Sequence, residues 1–436
     1  MATRTKKTPA SDRTKDNSVC PFCALLCDDL SVKIHADGVS PIRLDCPNAD
    51  NGFAQLIHEP SAPTLCESRE QRPSEASLKD AISRAAAFLE QSEMPFIGGL
   101  GTDLDALRVL YKLGGQIGAT MDPMSSDATL ANINVMQTLG WYTTTLSEVR
   151  NRSDVVLIVG ADCRNKYGRF VERILEPAAT LVPGARRARR VIYLGPRKNA
   201  PRSKKLRIEN IYCADNEIAT LLSVLRAHVL GKPLSTELTQ TAKLADTAEA
   251  LKSSNYANIV WSTSALDSNS ARLCVESISK MVADLNATTR AAGLSLGGDD
   301  GGMSAMQVSS WLSGFPLRVS FNGGEPSYDP MRNSLNALVA NGEVDCVVWV
   351  DAFGRSTPPE LPSDIPLIFM GHPSLAKRVK ADVCIPVGMP GIHHKARLVR
   401  TDSVVTVPMD RLYPSKLPSV KKIADALTDA LTGEAP

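Results

Sequence analysis

Five short apolar runs constrain this chain more than any other feature. Residues 153–162 read SDVVLIVGAD, 190–197 RVIYLGPR, 344–352 VDCVVWVDA, 366–372 PLIFMGH and 381–388 ADVCIPVG. A run that is apolar at successive positions has two faces to cover, as in parallel sheets flanked by helices. Amphipathic segments lie among these runs, at 77–91, 217–231 and 268–284, and residues 95–101 (PFIGGLG) read as a further strand. Alternation of this kind predicts α/β layers with mostly parallel, Rossmann-like sheets. We expect one sheet around 95–235 and a second around 255–390. Ligands in such folds sit beyond the carboxyl ends of the strands. The expected division is a disordered tail (1–18), a cysteine-rich β lobe (19–60), a first α/β domain (61–250) that crosses to the second, and a second α/β domain with the C-terminal segment (251–436).

Composition narrows the class. The chain has 436 residues, 43% of them hydrophobic, enough for two or three domains. A formal charge of +2 and 5% aromatic residues argue against nucleic-acid binding. No run approaches the roughly 20 apolar residues of a membrane helix. The first 18 residues carry Arg4, Lys6, Lys7, Arg13 and Lys15 without an apolar stretch, so they read as unstructured and non-secretory. The expected location is the cytoplasm. Residues 60–73, bounded by prolines, read as a linker.

Ten cysteines are present, and four of them cluster. Cys20, Cys23 and Cys27 follow a C-x2-C-x3-C spacing, and Cys46, followed by Pro47, comes eighteen intervening residues later. Closely spaced thiolates let one loop supply several ligands to iron or zinc. The spacing favours an iron–sulfur cluster over zinc; the alternative is four unligated thiols in a retained loop. Between them, residues 30–44 read as two strands turning at Asp37-Gly38. The remaining six cysteines sit mostly in apolar runs and read as reduced core residues.

Other signals are weaker. Residues 99–103 (GLGTD) read as a turn. Residues 293–303 (GLSLGGDDGGM) form a glycine-rich loop ahead of a helical segment, but its acids would repel a phosphate. His393 and His394 adjoin Lys395 and Arg397 and read as a solvent or interface loop; His35 and His58 read as isolated. G-x-S-x-G, H-E-x-x-H and H-x-E are all missing, so the hydrolase signatures are absent.

Taken in order, the motifs resemble the B subunit of formylmethanofuran dehydrogenase, in the version found in bacterial formyltransferase/hydrolase complexes. The resemblance runs from about Val19 to Pro408. VCPFCALLCDDLSV is similar to the family's cysteine-rich start, where four cysteines hold a [4Fe-4S] cluster; Cys20, Cys23, Cys27 and Cys46 match those positions. TTTLSEVRNRSDVVLIVGAD matches at Glu148, Asn151, Arg152 and Asp154. QVSSWLSGFPLRVSFNGGEPSYDP matches at Trp311, Gly314, Pro316, Pro326, Tyr328 and Pro330. ADVCIPVGMPGI and the Arg400–Asp402 pair match the C-terminal part.

Three departures fall in the pterin site of the related dehydrogenases. Where a cysteine or selenocysteine would ligate molybdenum or tungsten, residues 121–137 have none, and Ser125, Ser126 or Asp127 stand nearest. Asp162 replaces an asparagine beside the pterin's phosphates, leaving Arg169, and on the next loop Arg197, as remnants of the site. Gly195 replaces an aspartate that reads a guanine edge. The resemblance therefore implies a chain without molybdopterin or tungstopterin: a non-redox scaffold for the A, C and D subunits, with a methanofuran-type carrier nearby. The alternative is an active formate or formylmethanofuran dehydrogenase with the metal ligated by Ser125 or Ser126.

Overall fold

The computed structural model describes residues 12–433 apart from 43, 59, 68, 70, 71, 179, 180, 182–188, 235–238 and 377. The apolar runs form strands. Val155–Val159 is buried at every position and pairs in parallel with Arg190–Gly195 on one side and Tyr256–Trp261 on the other. Ile208–Tyr212 and Arg290–Ser295 complete a five-stranded, wholly parallel sheet.

The second sheet has nine strands. Its parallel centre runs Thr120–Pro123, Pro95–Gly101, Cys346–Asp351, Leu367–Gly371, Val383–Pro386. Short antiparallel strands add to both edges, Val319–Ser320 and Ser327–Tyr328 at one and Thr64–Leu65 and Ser74–Glu75 at the other.

Side-chain alternation decides what each face covers. In the five-stranded sheet Leu157, Val159, Ile192 and Leu194 pack on Leu221, Leu222 and Leu225 of the helix Ile218–Val229 and on Val275 and Ile278 of Ala271–Leu285. The opposite-facing Val156, Ile158, Val191 and Tyr193 pack on Phe22, Leu25, Leu26 and the four clustered cysteines. The cysteine-rich segment is thus the second cover of this sheet. In the nine-stranded sheet Val348, Val350, Ile368 and Met370 face Leu107 and Leu110 of Leu104–Ile117, and Ile423 and Leu427 of Val420–Thr432. Val347, Trp349, Leu367 and Phe369 face Leu335 and Leu338.

Three sequence expectations change. The sheets do not split near residue 250: strands at 95–101 and 120–123 join those at 319–386, and the five-stranded sheet, 155–295, is inserted between them. After Thr120–Pro123 the helix Ser126–Leu139 leaves the nine-stranded sheet, and the chain returns only at Val319, which pairs with Met121. Sheet membership follows that long-range pairing, which no local pattern encodes. Residues 13–18, placed in the tail, form a strand paired with Leu30–Ile34, held by backbone bonds and by Lys15–Asp410 (2.8 Å) and not by apolar burial. Residues 1–11 of that tail lie outside the described residues. The linker at 60–73 contains Thr64–Leu65, an edge strand against Val383–Cys384.

A buried arginine ties the entry of the inserted sheet together. Arg189 is 8% exposed and donates to the carbonyls of Ser153 (2.9 Å), Ile174 (3.1 Å), Leu175, Pro177 (3.2 Å), Val149 (3.1 Å) and Arg150 (2.7 Å). It takes the free carbonyls that end the helix Leu146–Arg152. Leucine in its place would strand several of these acceptors. We expect Arg189→Leu to cost about 3–5 kcal/mol, read as a lowered urea midpoint; an unchanged midpoint would contradict this role.

Candidate functional site

Cys20, Cys23 and Cys27 lie on a loop that closes on itself. The Cys20 amide donates to the Cys27 carbonyl (2.8 Å) and the Leu26 amide to the Cys23 carbonyl (3.1 Å). Leu26 makes the turn with φ 46°. Cys46 stands at the N-cap of the helix Pro47–Ala54. All four thiols are buried and line one cavity with Phe22, Leu30 and Gly168. Burial raises the pKa of each of them, and Cys27 adds to the rise at Cys20 and Cys23. Arg173 and Arg169 pull Cys27 the other way. Among the described residues no three His, Cys, Asp or Glu side chains are placed to share a single metal ion. None of the ten cysteines is in a disulfide, and all but Cys213 are buried.

The lobe is locked to the sheets by polar contacts that the sequence did not reveal. Asp299, in the glycine-rich loop, accepts from the Ala24 amide (2.8 Å) between Cys23 and Cys27, from the Tyr167 hydroxyl (2.9 Å), and from Lys166 (2.8 Å). Asn48 donates to the carbonyls of Phe22 (2.8 Å) and Lys166 (3.1 Å), and Arg355 reaches Phe22 O (3.0 Å) and Asn48 Oδ1 (2.8 Å). Gly301 in the same loop has φ 81°, and a Cβ there would lie 2.3 Å from the Thr102 carbonyl oxygen, so only glycine fits.

A cavity opens where both sheets present their carboxyl ends. It is lined by Ser125, Thr129, Asn132, Lys166, Thr263, Asp299 and Asp300. Burial pushes the Asp300 carboxyl up to about 7, with Asp299 and Asp351 adding to it against Arg355. Beside the cavity, Ser126 donates to Asp122 (2.6 Å), and the buried Arg318 reaches Ser126 Oγ (3.1 Å), Asp122 (3.4 Å) and Asp127. Burial also pushes Asp122 up to about 7.

The two arginines carried from the sequence are not brought together. Arg169 is buried and forks onto Asp29 (2.7 and 2.9 Å) and Glu172 (3.0 and 2.9 Å). Arg197 is exposed, its guanidinium 4.6 Å from the centre of the Tyr212 ring. Asp162 accepts the amides of Arg164 (3.1 Å) and Asn165 (2.8 Å). Gly195 has φ 148°, and a Cβ there would meet Tyr193 Oη at 2.9 Å and Gly160 Cα at 3.1 Å, so the strand end is closed.

The histidines differ most from expectation. His393, read as a solvent or interface loop, is 4% exposed. Its Nδ1 accepts the Met389 amide (2.9 Å), and Nε2 lies 3.0 Å from Nδ1 of His58. In its neutral form His393 therefore donates to His58. The His372 ring stacks on His393 at 5.8 Å, and His372 Nδ1 faces Ser374 Oγ (2.8 Å). His58 also packs on Tyr413. His394 faces Asp103 (3.3 Å). These rings pin the exit of the cysteine lobe to the nine-stranded sheet. Contacts spanning 335 residues, such as His58–His393, leave no local signature.

No family model matches the chain. Among curated proteins, the B subunit of the formyltransferase/hydrolase complex Fhc of Methylorubrum extorquens is 31% identical over 319 residues, 72% of this chain and 83% of that protein. The chain belongs to the B-subunit family of formyltransferase/hydrolase complexes. The B subunits of two tungsten-containing formylmethanofuran dehydrogenases 2 are also similar, those of Methanococcus maripaludis and Methanocaldococcus jannaschii. Each is 24% identical over 89% of this chain, covering 92% and 91% of the respective protein. Among solved structures, the crystal structure of the M. extorquens complex with methylofuran matches with a TM-score of 0.71 and 26% identity, over 86% of this chain and 99% of that one. Acetylene hydratase from Pelobacter acetylenicus matches at a TM-score of 0.62 and 11% identity, over 96% of this chain and 70% of that one, a likeness of fold alone.

Tungsten in two relatives raises the question of a pterin here. The residues present do not fit one. The segment that would ligate the metal has no cysteine, and Ser126 is committed to Asp122 and Arg318. Arg169 is already paired with carboxylates, and Asp299 and Asp300 face the cavity where an anionic cofactor would lie. The cysteine lobe is different. Its four thiols line one cavity, with Arg169 and Arg173 beside Cys27 to offset the negative charge of a cluster, and the donor set fits a four-thiolate iron–sulfur group.

The histidines make stability depend on pH. Burial, reinforced by His58, holds His372 down at about 4, and burial with His372 and His58 holds His393 at about 3, against 6.5 for a free imidazole. Above pH 6.5 both are neutral folded or unfolded, and nothing is lost. Below it the unfolded chain takes up protons that the folded one refuses, so stability falls from pH 6.5 to about 4, by about 1.4 kcal/mol per pH unit per group. Asp122 and Asp300 act oppositely, gaining stability as pH falls from about 7. The histidine contribution is therefore read as a difference. We expect the stability gap between the natural chain and a His372→Gln, His393→Gln variant, measured in urea at pH 7, 6 and 5, to shift toward the variant as pH falls. A pH-independent gap would contradict it.

Proposed function

We propose that this chain is a non-redox scaffold subunit of a formyltransferase/hydrolase complex. In that complex a formyl group passes from tetrahydromethanopterin to a methanofuran-type carrier and is released as formate. The match to 99% of one chain of the M. extorquens complex, at 26% identity, carries the reading. It is supported by the pairing of the cations on and near the cavity: Lys166, Arg169, Arg318 and Arg355 each face a carboxylate of this chain, so none of these four stands free for a pterin phosphate. Partners are the A, C and D subunits of the complex, with the furan-linked carrier nearby. Ten cysteines with no disulfide among them favour the cytoplasm. Among the described residues no helix is long and apolar enough to cross a membrane.

On this reading the N-terminal segment is the family's cysteine-rich β lobe, and Cys20, Cys23, Cys27 and Cys46 hold a [4Fe-4S] cluster as a structural clip. A bound cluster would supply a cross-link between the loop at 20–27 and the start of the helix Pro47–Ala54. This chain's part is to present the four thiols and to shield them behind Phe22 and Leu30.

The complex, co-expressed and purified without oxygen, should transfer the formyl group and release formate. It should hold iron and sulfide in equal amounts and neither molybdenum nor tungsten. Cys23→Ser should remove the iron while leaving formyl transfer within about twofold, since a clip acts on stability. Viologen-linked formate oxidation with stoichiometric tungsten would overturn the scaffold reading; an iron-free lobe with four titratable thiols would overturn the cluster.

A further inference from the structure

We infer that the groove between the helices Leu104–Ile117, Gly302–Ser313 and Val420–Thr432 is the docking site for an acidic-edged amphipathic helix of another subunit. The inference rests on the assembly reading above and names the surface that performs it. The groove measures about 560 Å³. Its floor is apolar, with Val109 and Phe321 set into the core and Leu312 52% exposed. Its rim is cationic, with Arg108 and Lys112 from one helix and Lys421 from another. Arg108 and Lys112 are like charges four residues apart on one helix, a mildly destabilising arrangement. Neither has a carboxylate partner among the described residues. Lys421 pairs with Asp425, and the one acid in the groove, Asp105, is engaged by Arg397. On the same last turn as Leu312, Trp311 is 58% exposed. An exposed tryptophan on a helix that borders the groove is of a residue type enriched at interfaces.

Charge selects the occupant. A helix laid in the groove would place apolar side chains at i, i+3/i+4 and i+7 on the floor, with Asp or Glu on its flank against Arg108 and Lys112. A second copy of this chain is disfavoured, because a two-fold contact sets Arg108, Lys112 and Lys421 against themselves. The chain's own first eleven residues are disfavoured too, since they carry Arg4, Lys6 and Lys7 and no acid.

The test uses the co-expressed complex with the photoreactive residue benzoylphenylalanine replacing Leu312. Irradiation should join this chain to a different subunit, and peptide mapping should place the bond in a helical segment with flanking acids. Independently, Arg108→Glu combined with Lys112→Glu should lower the amount of co-purifying partner at least tenfold while the melting temperature of the chain alone stays unchanged. A cross-link to a second copy or to residues 1–11, or an intact complex with no cross-link at this position, overturns the groove assignment alone. Unchanged assembly in the charge-reversed variant does the same. A natural chain that assembles with no other subunit overturns both the groove and the scaffold reading.

Discussion

Everything in this molecule depends on the strand Val155–Val159 being buried on both faces. One set of its side chains meets helices, as in any parallel sheet. The other set, Val156 and Ile158, meets Phe22, Leu25, Leu26 and the four cysteines. A segment of about forty residues with a three-stranded sheet and one short helix has little core of its own. It acquires one by covering the inserted sheet. The geometry of the thiols is therefore set by apolar burial, and the polar contacts of Asp299, Asn48 and Arg355 fix register within that cover.

That dependence explains what could be read from the sequence. The strands at 155–159, 190–195, 346–351, 367–371 and 383–386 were legible because two-sided burial leaves continuous apolar runs. The helices Leu78–Gln91 and Ala271–Leu285 were legible from the spacing of their apolar residues. Thr120–Pro123 was not: four residues ending in proline carry no strand signal, though the strand is interior to its sheet, paired with Pro95–Gly101 and Val319–Ser320. Nor did any local pattern say that residues 155–295 interrupt a sheet whose parallel strands start at 95. Pairing across some 200 residues, as between Met121 and Val319, is decided by global packing.

The candidate site was legible in part for the same reason. The four cysteines announce themselves by spacing, and the structure places them in one cavity. Asp299 was visible only as an acid in a glycine-rich loop; its partner, the Ala24 amide, is 275 residues away. The histidine contacts leave no sequence signal because their partners are distant in the chain. His393 and His394 face different ways, and each finds its partner elsewhere, in His58 and Asp103.

The distribution of charge separates a retained fold from a retained cofactor site. A pocket that receives a polyanionic cofactor keeps cations unpaired for it, since each must exchange water for phosphate and not break an existing ion pair first. Here the exchange has already happened within the chain. Arg169 and Arg173 hold Asp28, Asp29 and Glu172, Lys166 holds Asp299, Arg318 holds Asp122 and Asp127, and Arg355 faces Asp300. These pairs bind the cysteine lobe, the inserted sheet and the glycine-rich loop to one another. On the scaffold reading, the pairs that occupy these cations are also what ties those parts of the fold together. The unpaired cations at Arg108 and Lys112 lie at the rim of the apolar groove, on the outside of the molecule, where an assembling partner would meet them.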